Sequence, residues 1–261
     1  MGDELRFGIV TAGDAGDVQR LCDALGRQLS RRVVPRVFDT FGAMRAELAR
    51  SELELAWSPP VAAVQLELAG VVSIAVGIWR EGGSSYSSAI FTRASGPVSR
   101  VTELRGKRIA WVDEESAAGY LLPKTKLAAL GVRSFEKETF EGTHEAVVRA
   151  VMEGRADAGA THVSFQPVSD KIETAGWSRG GAYRHEDVRI LATAGPIPPD
   201  VVVVSRKLPE SLHDELSDVL VALGQAPSTR DDVRAVFAGH GFVLVGSYQY
   251  DALRSLWRHH G

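Results

Sequence analysis

The sequence predicts an α/β protein built as two lobes. Three observations carry that expectation. Short apolar strands alternate with amphipathic helical stretches almost throughout, small-residue turns join strand to helix, and two Pro/Gly breaks divide the 261 residues unusually. The breaks fall near 93–97 and 194–199. A middle section, 94–196, would form one lobe, and the outer sections, 1–93 and 197–261, would together form the other. Two strands crossing between lobes is the wiring of a hinged clamshell. Each lobe is expected to hold a mixed, mostly parallel sheet flanked by helices.

Phe7–Val10 reads as the first strand, and Thr11-Ala12-Gly13-Asp14-Ala15-Gly16 as a small-residue turn. Val18, Leu21, Cys22, Leu25 and Leu29 then recur at helical spacing. Val33–Phe38 is the second strand, after which Thr40 can cap a helix whose apolar face holds Phe41, Met44 and Leu48. Leu53–Trp57 is a third strand, and Ser58-Pro59-Pro60 opens a helix, because proline at the first helical position gives up an N–H that would be unpaired anyway. The continuous apolar run Val71–Trp79 suits a strand buried on both faces. Glu81–Ser85 is a turn, Tyr86–Thr92 a strand, and Ser95-Gly96-Pro97 a candidate hinge.

In the middle section, Glu103–Val112 reads as a turn and an apolar strand, and Ser116–Tyr120 as an elbow that opens a helix. A strand near Glu138–Phe140 precedes a helix from Thr143, with Val147, Val148, Val151 and Met152 on its core face and Gly154 as its stop. Ala156–Ala160 is a short strand, and Val188–Ala192 leads to the second break, Gly195-Pro196-Ile197-Pro198-Pro199. Val201–Val204 is a β-branched strand, followed by an amphipathic helix through Leu208, Leu212, Leu216, Val219 and Leu223. Two further helices close the chain, with Thr229 and Asp232 as a capping box for the first and Ser247 as a cap for the second.

Composition is that of a globular protein, with 44% hydrophobic and 24% charged residues. A formal net charge of −3 gives no basic surface to recommend nucleic acid as a partner. The single cysteine, Cys22, excludes an internal disulfide and any multi-cysteine metal site, and its place on an apolar helix face makes it a buried thiol. No stretch of about 18 apolar residues is present to span a membrane. Residues 1–6 carry no basic n-region, h-region or cleavage site. The protein is therefore periplasmic or cell-surface if an export signal has been removed, and cytoplasmic if Met1 is the native start.

In open α/β sheets, ligands bind beyond the carboxyl ends of strands, where helix N-termini converge. Four such ends carry small or polar residues: Thr11–Gly16, Trp57–Val61, Ser116–Tyr120 and Gly142–Glu145. Backbone N–H groups and helix dipoles there can hold an anion without a cationic side chain. Each turn taken alone is also what an ordinary helix cap looks like.

The segment Glu103–Val112, running into Ser116-Ala117-Ala118-Gly119-Tyr120, resembles the solute-binding proteins of phosphate, phosphite and phosphonate ABC importers, which have the type 2 periplasmic-binding-protein fold. The likeness covers roughly residues 40–220 and is best over 101–165. In that family a Ser-Thr-Ser-Gly elbow holds the oxyanion. Here Ser116 and Gly119 match, whereas Ala117 and Ala118 keep the amides and lose two hydroxyls. Gly142-Thr143-His144-Glu145 resembles a turn whose histidine contacts the anion, although a lone histidine at a helix start can equally be a surface residue. Trp57-Ser58-Pro59 and Tyr86-Ser87-Ser88 match two further segments, and Arg155-Ala156-Asp157-Ala158 resembles a strand that enters the ligand cleft. Ser164 stands near the place of a carboxylate that holds a substrate amine, so an aminoalkyl ligand is not expected. Trp57 and Tyr86 either wall the ligand or pack in the core.

The resemblance implies a monomeric binding protein that closes on a small anion and delivers it to an ABC permease. The ligand residues it implies are Thr11, Trp57, Ser58, Tyr86, Ser116, Ala117, Ala118, Gly119, Tyr120, His144 and Ser164, with no cofactor and no metal. No nucleophile–base set, HExxH, P-loop or dinucleotide fingerprint stands in the sequence, so no enzyme activity is expected. Two alternatives remain. One is a dehydratase-like or menaquinone-pathway-like enzyme on the same fold, with Glu115, Glu145, Asp157 or His144 as acid or base. The other is a cytoplasmic ligand sensor.

Overall fold

A computed structural model describes residues 4–10, 14–80, 85–166, 169, 171–178 and 181–260, with His259 and His260 described for backbone only. The strands are β1 (Glu4–Ile9), β2 (Arg32–Val37), β3 (Leu55–Ser58), β4 (Val72–Trp79), β5 (Tyr86–Arg93), β6 (Arg108–Trp111), β7 (Lys137–Phe140), β8 (Ala158–Phe165), β9 (Ile172–Ala175), β10 (Val188–Ile197), β11 (Val201–Ser205) and β12 (Gly241–Val243). The α-helices are α1 (Ala15–Leu29), α2 (Phe41–Ala49), α3 (Pro60–Leu68), α4 (Leu122–Ala129), α5 (His144–Met152), α6 (Glu210–Gln225), α7 (Arg230–Phe237) and α8 (Asp251–His260). The chain divides into two compact units. The first is Met1–Ser84 with Pro198–Gly261, and the second is Ser85–Ile197.

The first unit is built on a six-stranded sheet in the order β12-β4-β11-β3-β1-β2. Strand β1 runs parallel to β2 and β3, while β11 lies antiparallel between β3 and β4. Helix α1 starts at a true capping box, in which Asp14 accepts from the Asp17 amide and Asp17 reaches back to Asp14. Its residues Val18, Leu21, Cys22, Leu25 and Leu29 are all buried, as the helical spacing requires. They pack with Phe7, Ile9, Trp57, Leu216, Leu220 and Phe237 in one core. Thr40 caps α2 by accepting from the Ala43 amide at 3.2 Å, and Pro60 opens α3. The Thr229 cap does not form. Its hydroxyl donates to the Leu223 carbonyl, and Asp232 accepts instead from Arg20 at 2.8 Å. Ser247 opens a short 3-10 turn ahead of α8.

The second unit carries a sheet in the order β10-β5-β8-β6-β7, with β9 paired to β8. Only β7, β6 and β8 run parallel; β5, β9 and β10 are antiparallel to their neighbours. One apolar core, with Val147, Val148, Val151 and Trp177, covers one face, and another, with Ile109, Trp111 and Leu127, covers the other. Both sheets are therefore mixed, with antiparallel pairing more frequent than the strand–helix alternation suggests.

The first break falls ahead of β5, not behind it as expected at 93–97. Strand β5 pairs with β10 from Tyr86 to Arg93 and with β8 from Ser87 to Phe91, which fixes it in the second unit. The Ser95-Gly96-Pro97 turn, expected as a hinge, lies inside the second unit. Arg189 donates to the carbonyls of Ala94 at 2.6 Å and Val98 at 2.9 Å, and pins the turn from both sides. Strand β10 also continues through Gly195-Pro196 to Ile197, which pairs with Tyr86. Of the expected turn Glu81–Ser85, residues 81–84 lie outside the described residues.

Candidate functional site

In the second unit the carboxyl ends of β6 and β7 are each followed by a turn that opens a helix, and β8 runs on beside them. The first turn is the elbow. Ser116 is its cap: the Ser116 hydroxyl oxygen accepts from the Gly119 amide at 3.0 Å, and the Ser116 carbonyl accepts from Tyr120 and Leu121. A single π-helical turn, Ala117–Leu121, follows and merges into α4. The amides of Ala117 and Ala118 find no acceptor among the described residues. They are the orphan donors that any helix start leaves, here within a buried segment. The Ser116 hydroxyl can still donate, and its hydrogen has no acceptor among the described residues.

Only glycine fits at 119. A Cβ built there would stand 2.3 Å from Val112 Cγ2 and 2.5 Å from Val112 Cβ. Behind the elbow, Ser88 of β5 is fully buried, and its hydroxyl donates to the Ala118 carbonyl at 2.6 Å. Ahead of the elbow stand three carboxylates. The first, Asp113, accepts from the Glu115 amide at 2.9 Å, and burial pushes its pKa up from the ordinary carboxylate value.

The second turn presents His144 as the first residue of α5, capped by Thr143, which accepts from the Ala146 amide at 3.1 Å. His144 Nδ1 lies 3.0 Å from the hydroxyl of Thr161 on β8, a fully buried residue. The ring of His162, the next residue of β8, meets that of His144 edge to face with centroids 4.7 Å apart. His162 is also the cross-strand partner of Ser88, so the two share the sheet face on which Ser88 reaches the elbow. Elbow and imidazole pair thus gather on one sheet end. Helix-start amides and a hydroxyl are groups that can donate to a compact anion.

The remaining expected ligand residues have other occupations. Tyr120 packs edge-on against Trp111 and Phe140, and its hydroxyl accepts from Lys124 at 3.1 Å. Lys124 in turn pairs with Glu138 at 2.9 Å, and Glu138 takes the Trp111 indole N–H. Ser164 is 7% exposed and shares a 2.6 Å hydrogen bond with Thr174 across β8 and β9. Tyr86 begins β5. Asp157 sits at the amino end of β6 and β8, where its carboxylate accepts from the Arg108 backbone and guanidinium. Thr161 and His162 were not found from sequence; they follow Ala158 on the same strand but belong to no spaced motif.

In the first unit, Trp57 lies in the core, 9% exposed, between Phe41 and Phe237 with ring centroids at 5.5 and 5.4 Å. Its indole N–H is buried and has no partner among the described residues. The Ser58 hydroxyl turns onto the Pro59 carbonyl at 3.2 Å. Thr11 lies outside the described residues. Among the described residues no group of three His, Cys, Asp or Glu side chains could hold a metal ion. Among them, too, no helix is long and apolar enough to cross a membrane.

The phosphonate-binding family, described as ABC transporter, phosphonate, periplasmic substrate-binding protein, matches this chain over residues 10–250. Among solved structures, the chain is similar to XAC2383 from Xanthomonas citri bound to ATP, at 19% identity and a TM-score of 0.82, with 99% of this chain and 98% of that one covered. It is similar to PhnD1 from Prochlorococcus marinus in complex with methylphosphonate, at 20% identity and a TM-score of 0.73, with 98% of each chain covered. It is also similar to the periplasmic aliphatic sulphonate binding protein SsuA from Escherichia coli, at 14% identity and a TM-score of 0.64, with 100% of this chain and 88% of that one covered. At these identities the structural likenesses show the fold, that of type 2 periplasmic binding proteins. The family match spans nearly the whole chain, which therefore belongs to the periplasmic substrate-binding proteins of phosphonate ABC transporters and is a solute-binding protein for ABC import.

Proposed function

We propose that the chain captures a small tetrahedral oxyanion of the phosphonate or phosphate class at the elbow of the second unit. The observation that carries this reading is the pair of free amides at Ala117 and Ala118, on the same sheet end as the His144–His162 pair. In this reading the amides and the Ser116 hydroxyl donate to the oxyanion, and His144 donates from its ring. Two family hydroxyls are missing at 117 and 118. Each neutral hydrogen bond is worth about 0.5–1.5 kcal/mol, so affinity falls about one to two decades below that of a full elbow. Methylphosphonate and ATP, the ligands named for PhnD1 and XAC2383, both carry tetrahedral phosphorus oxyanions, which supports the class. The chain acts as a monomer in the periplasm, delivers its ligand to a membrane permease and leaves it chemically unchanged. Asp157, an acid or base in an enzymatic reading, is committed to Arg108.

Thermal unfolding with methylphosphonate, inorganic phosphate, phosphite, ATP and an alkyl sulfonate tests the reading. A ligand at 100 times its Kd adds about 2.7 kcal/mol, which raises the midpoint by roughly 5–10 °C. His144→Ala and Ser116→Ala should each raise Kd about tenfold, and Ser116→Ala, which also removes the helix cap, should lower the ligand-free midpoint by a few degrees. Unchanged affinity in both variants sinks the site, and a chemically altered ligand sinks the binder.

A further inference from the structure

We propose that Ser88 is a positioning residue of the anion elbow, fixing the direction of its donor amides through one peptide group. This rests on the elbow being the ligand site. The peptide that joins Ala118 to Gly119 is held at both ends. Its carbonyl accepts from the Ser88 hydroxyl at 2.6 Å, and its N–H donates to the Ser116 oxygen at 3.0 Å. A peptide group is planar, so two opposed hydrogen bonds fix its rotation about the chain. The preceding peptide carries the Ala118 amide, one of the two free donors, and shares the Ala118 Cα with the fixed one. Fixing one plane therefore limits where that amide can point.

Ser88 comes from neither the elbow nor its helix. It stands on β5, fully buried, with His162 as its cross-strand partner. The same strand thus meets the elbow through Ser88 and pairs with the strand that carries His162. A hydroxyl is the smallest group that can do this in a buried place, and alanine there would leave the Ala118 carbonyl without a partner.

Strand β5 supplies an internal control. Thr92, four residues on, is 2% exposed and makes the same kind of bond, its hydroxyl donating to the Asp157 carbonyl at 2.7 Å. That carbonyl lies at the amino end of β8, away from the elbow. A merely structural hydroxyl should behave alike at both positions, whereas a positioning hydroxyl should not.

The experiment compares Ser88→Ala and Thr92→Val in the full chain. Calorimetry gives Kd for methylphosphonate and inorganic phosphate, unfolding gives the ligand-free midpoint, and amide hydrogen exchange follows Gly119. Both variants should lower the midpoint similarly. Ser88→Ala alone should raise Kd about tenfold and speed Gly119 exchange about tenfold, the loss of one hydrogen bond's restraint. Ser88→Thr, which keeps the hydroxyl, should recover most of the affinity. Equal Kd in Ser88→Ala and wild type, or equal losses of affinity in Ser88→Ala and Thr92→Val, overturns the proposal and leaves the elbow reading intact. A wild-type protein that binds neither anion overturns the elbow reading itself, and the role of Ser88 with it.

Discussion

The two units solve the strand-to-helix turn differently, although their sequences look alike there. In the second unit, the turn after β6 leaves two amides and a hydroxyl hydrogen without an acceptor among the described residues, and the turn after β7 presents an imidazole. In the first unit, the turn after β3 has a hydroxyl folded onto its own chain, two prolines without N–H groups, and a tryptophan wedged between two aromatic rings. One turn leaves polar donors without protein acceptors among the described residues, and the other is filled by packing. Small or polar residues before a helix therefore say where a ligand could sit; the partners of their donors say whether one is served.

The largest effect should come from the packing side. Trp57→Ala removes the ring that joins Phe41 to Phe237. Loss of so large a buried side chain costs about 3–5 kcal/mol, read by denaturant unfolding. Trp57→Phe should keep most of that stability. It also deletes the indole N–H, which has no protein partner among the described residues. If affinity for methylphosphonate then falls tenfold while the midpoint holds, the contrast between the units is too sharply drawn, and the first unit also contributes a polar contact.

Gly119→Ala should reverse the balance between stability and binding. Its Cβ would collide with Val112, so the elbow must shift away from the strand end. Overpacking of this kind costs about 1–3 kcal/mol, less than the loss at Trp57. Binding should suffer more, by about a hundredfold or beyond, because a donor displaced by about 1 Å no longer meets its acceptor. A variant that binds normally would detach the elbow from recognition.

Much of this could be read from the chain. Helical spacing identified the buried face of α1 residue by residue, and Thr40 and Thr143 cap their helices as their positions suggest. The elbow was visible because its residues are contiguous and its glycine is sterically required. What escaped depends on pairing between distant segments. Strand β5 belongs to the second unit because of its partners β8 and β10, which no local pattern encodes. Strands β9 and β12 are too short to display a period. Ser88 was visible in a motif, but the carbonyl it serves lies 30 residues away. Thr161 and His162 acquire their meaning only when β8 brings them beside α5. Trp57 was readable as wall or core, and its ring neighbours put it in the core.

The smallest effect tests the opposite end of the second unit's sheet. Asp157 accepts from the Arg108 amide at 3.0 Å and from its guanidinium at 2.8 Å. The guanidinium hydrogen bond is the main cause that holds the Asp157 carboxyl below its ordinary range. A carboxyl lowered by folding stabilises the native state at pH above its unfolded value, about 3.9, and that contribution fades as pH falls through the lower folded value. Asp157→Asn should therefore lower the unfolding midpoint at pH 7 by about 2–4 °C, and the gap from wild type should narrow as pH falls through the lowered folded value of Asp157. Affinity for methylphosphonate should not change, because these atoms sit at the amino ends of the strands. If the variant lost binding with its stability hardly altered, recognition could no longer be assigned to the carboxyl ends alone, and the amino end of β8 would have to be counted as part of the site.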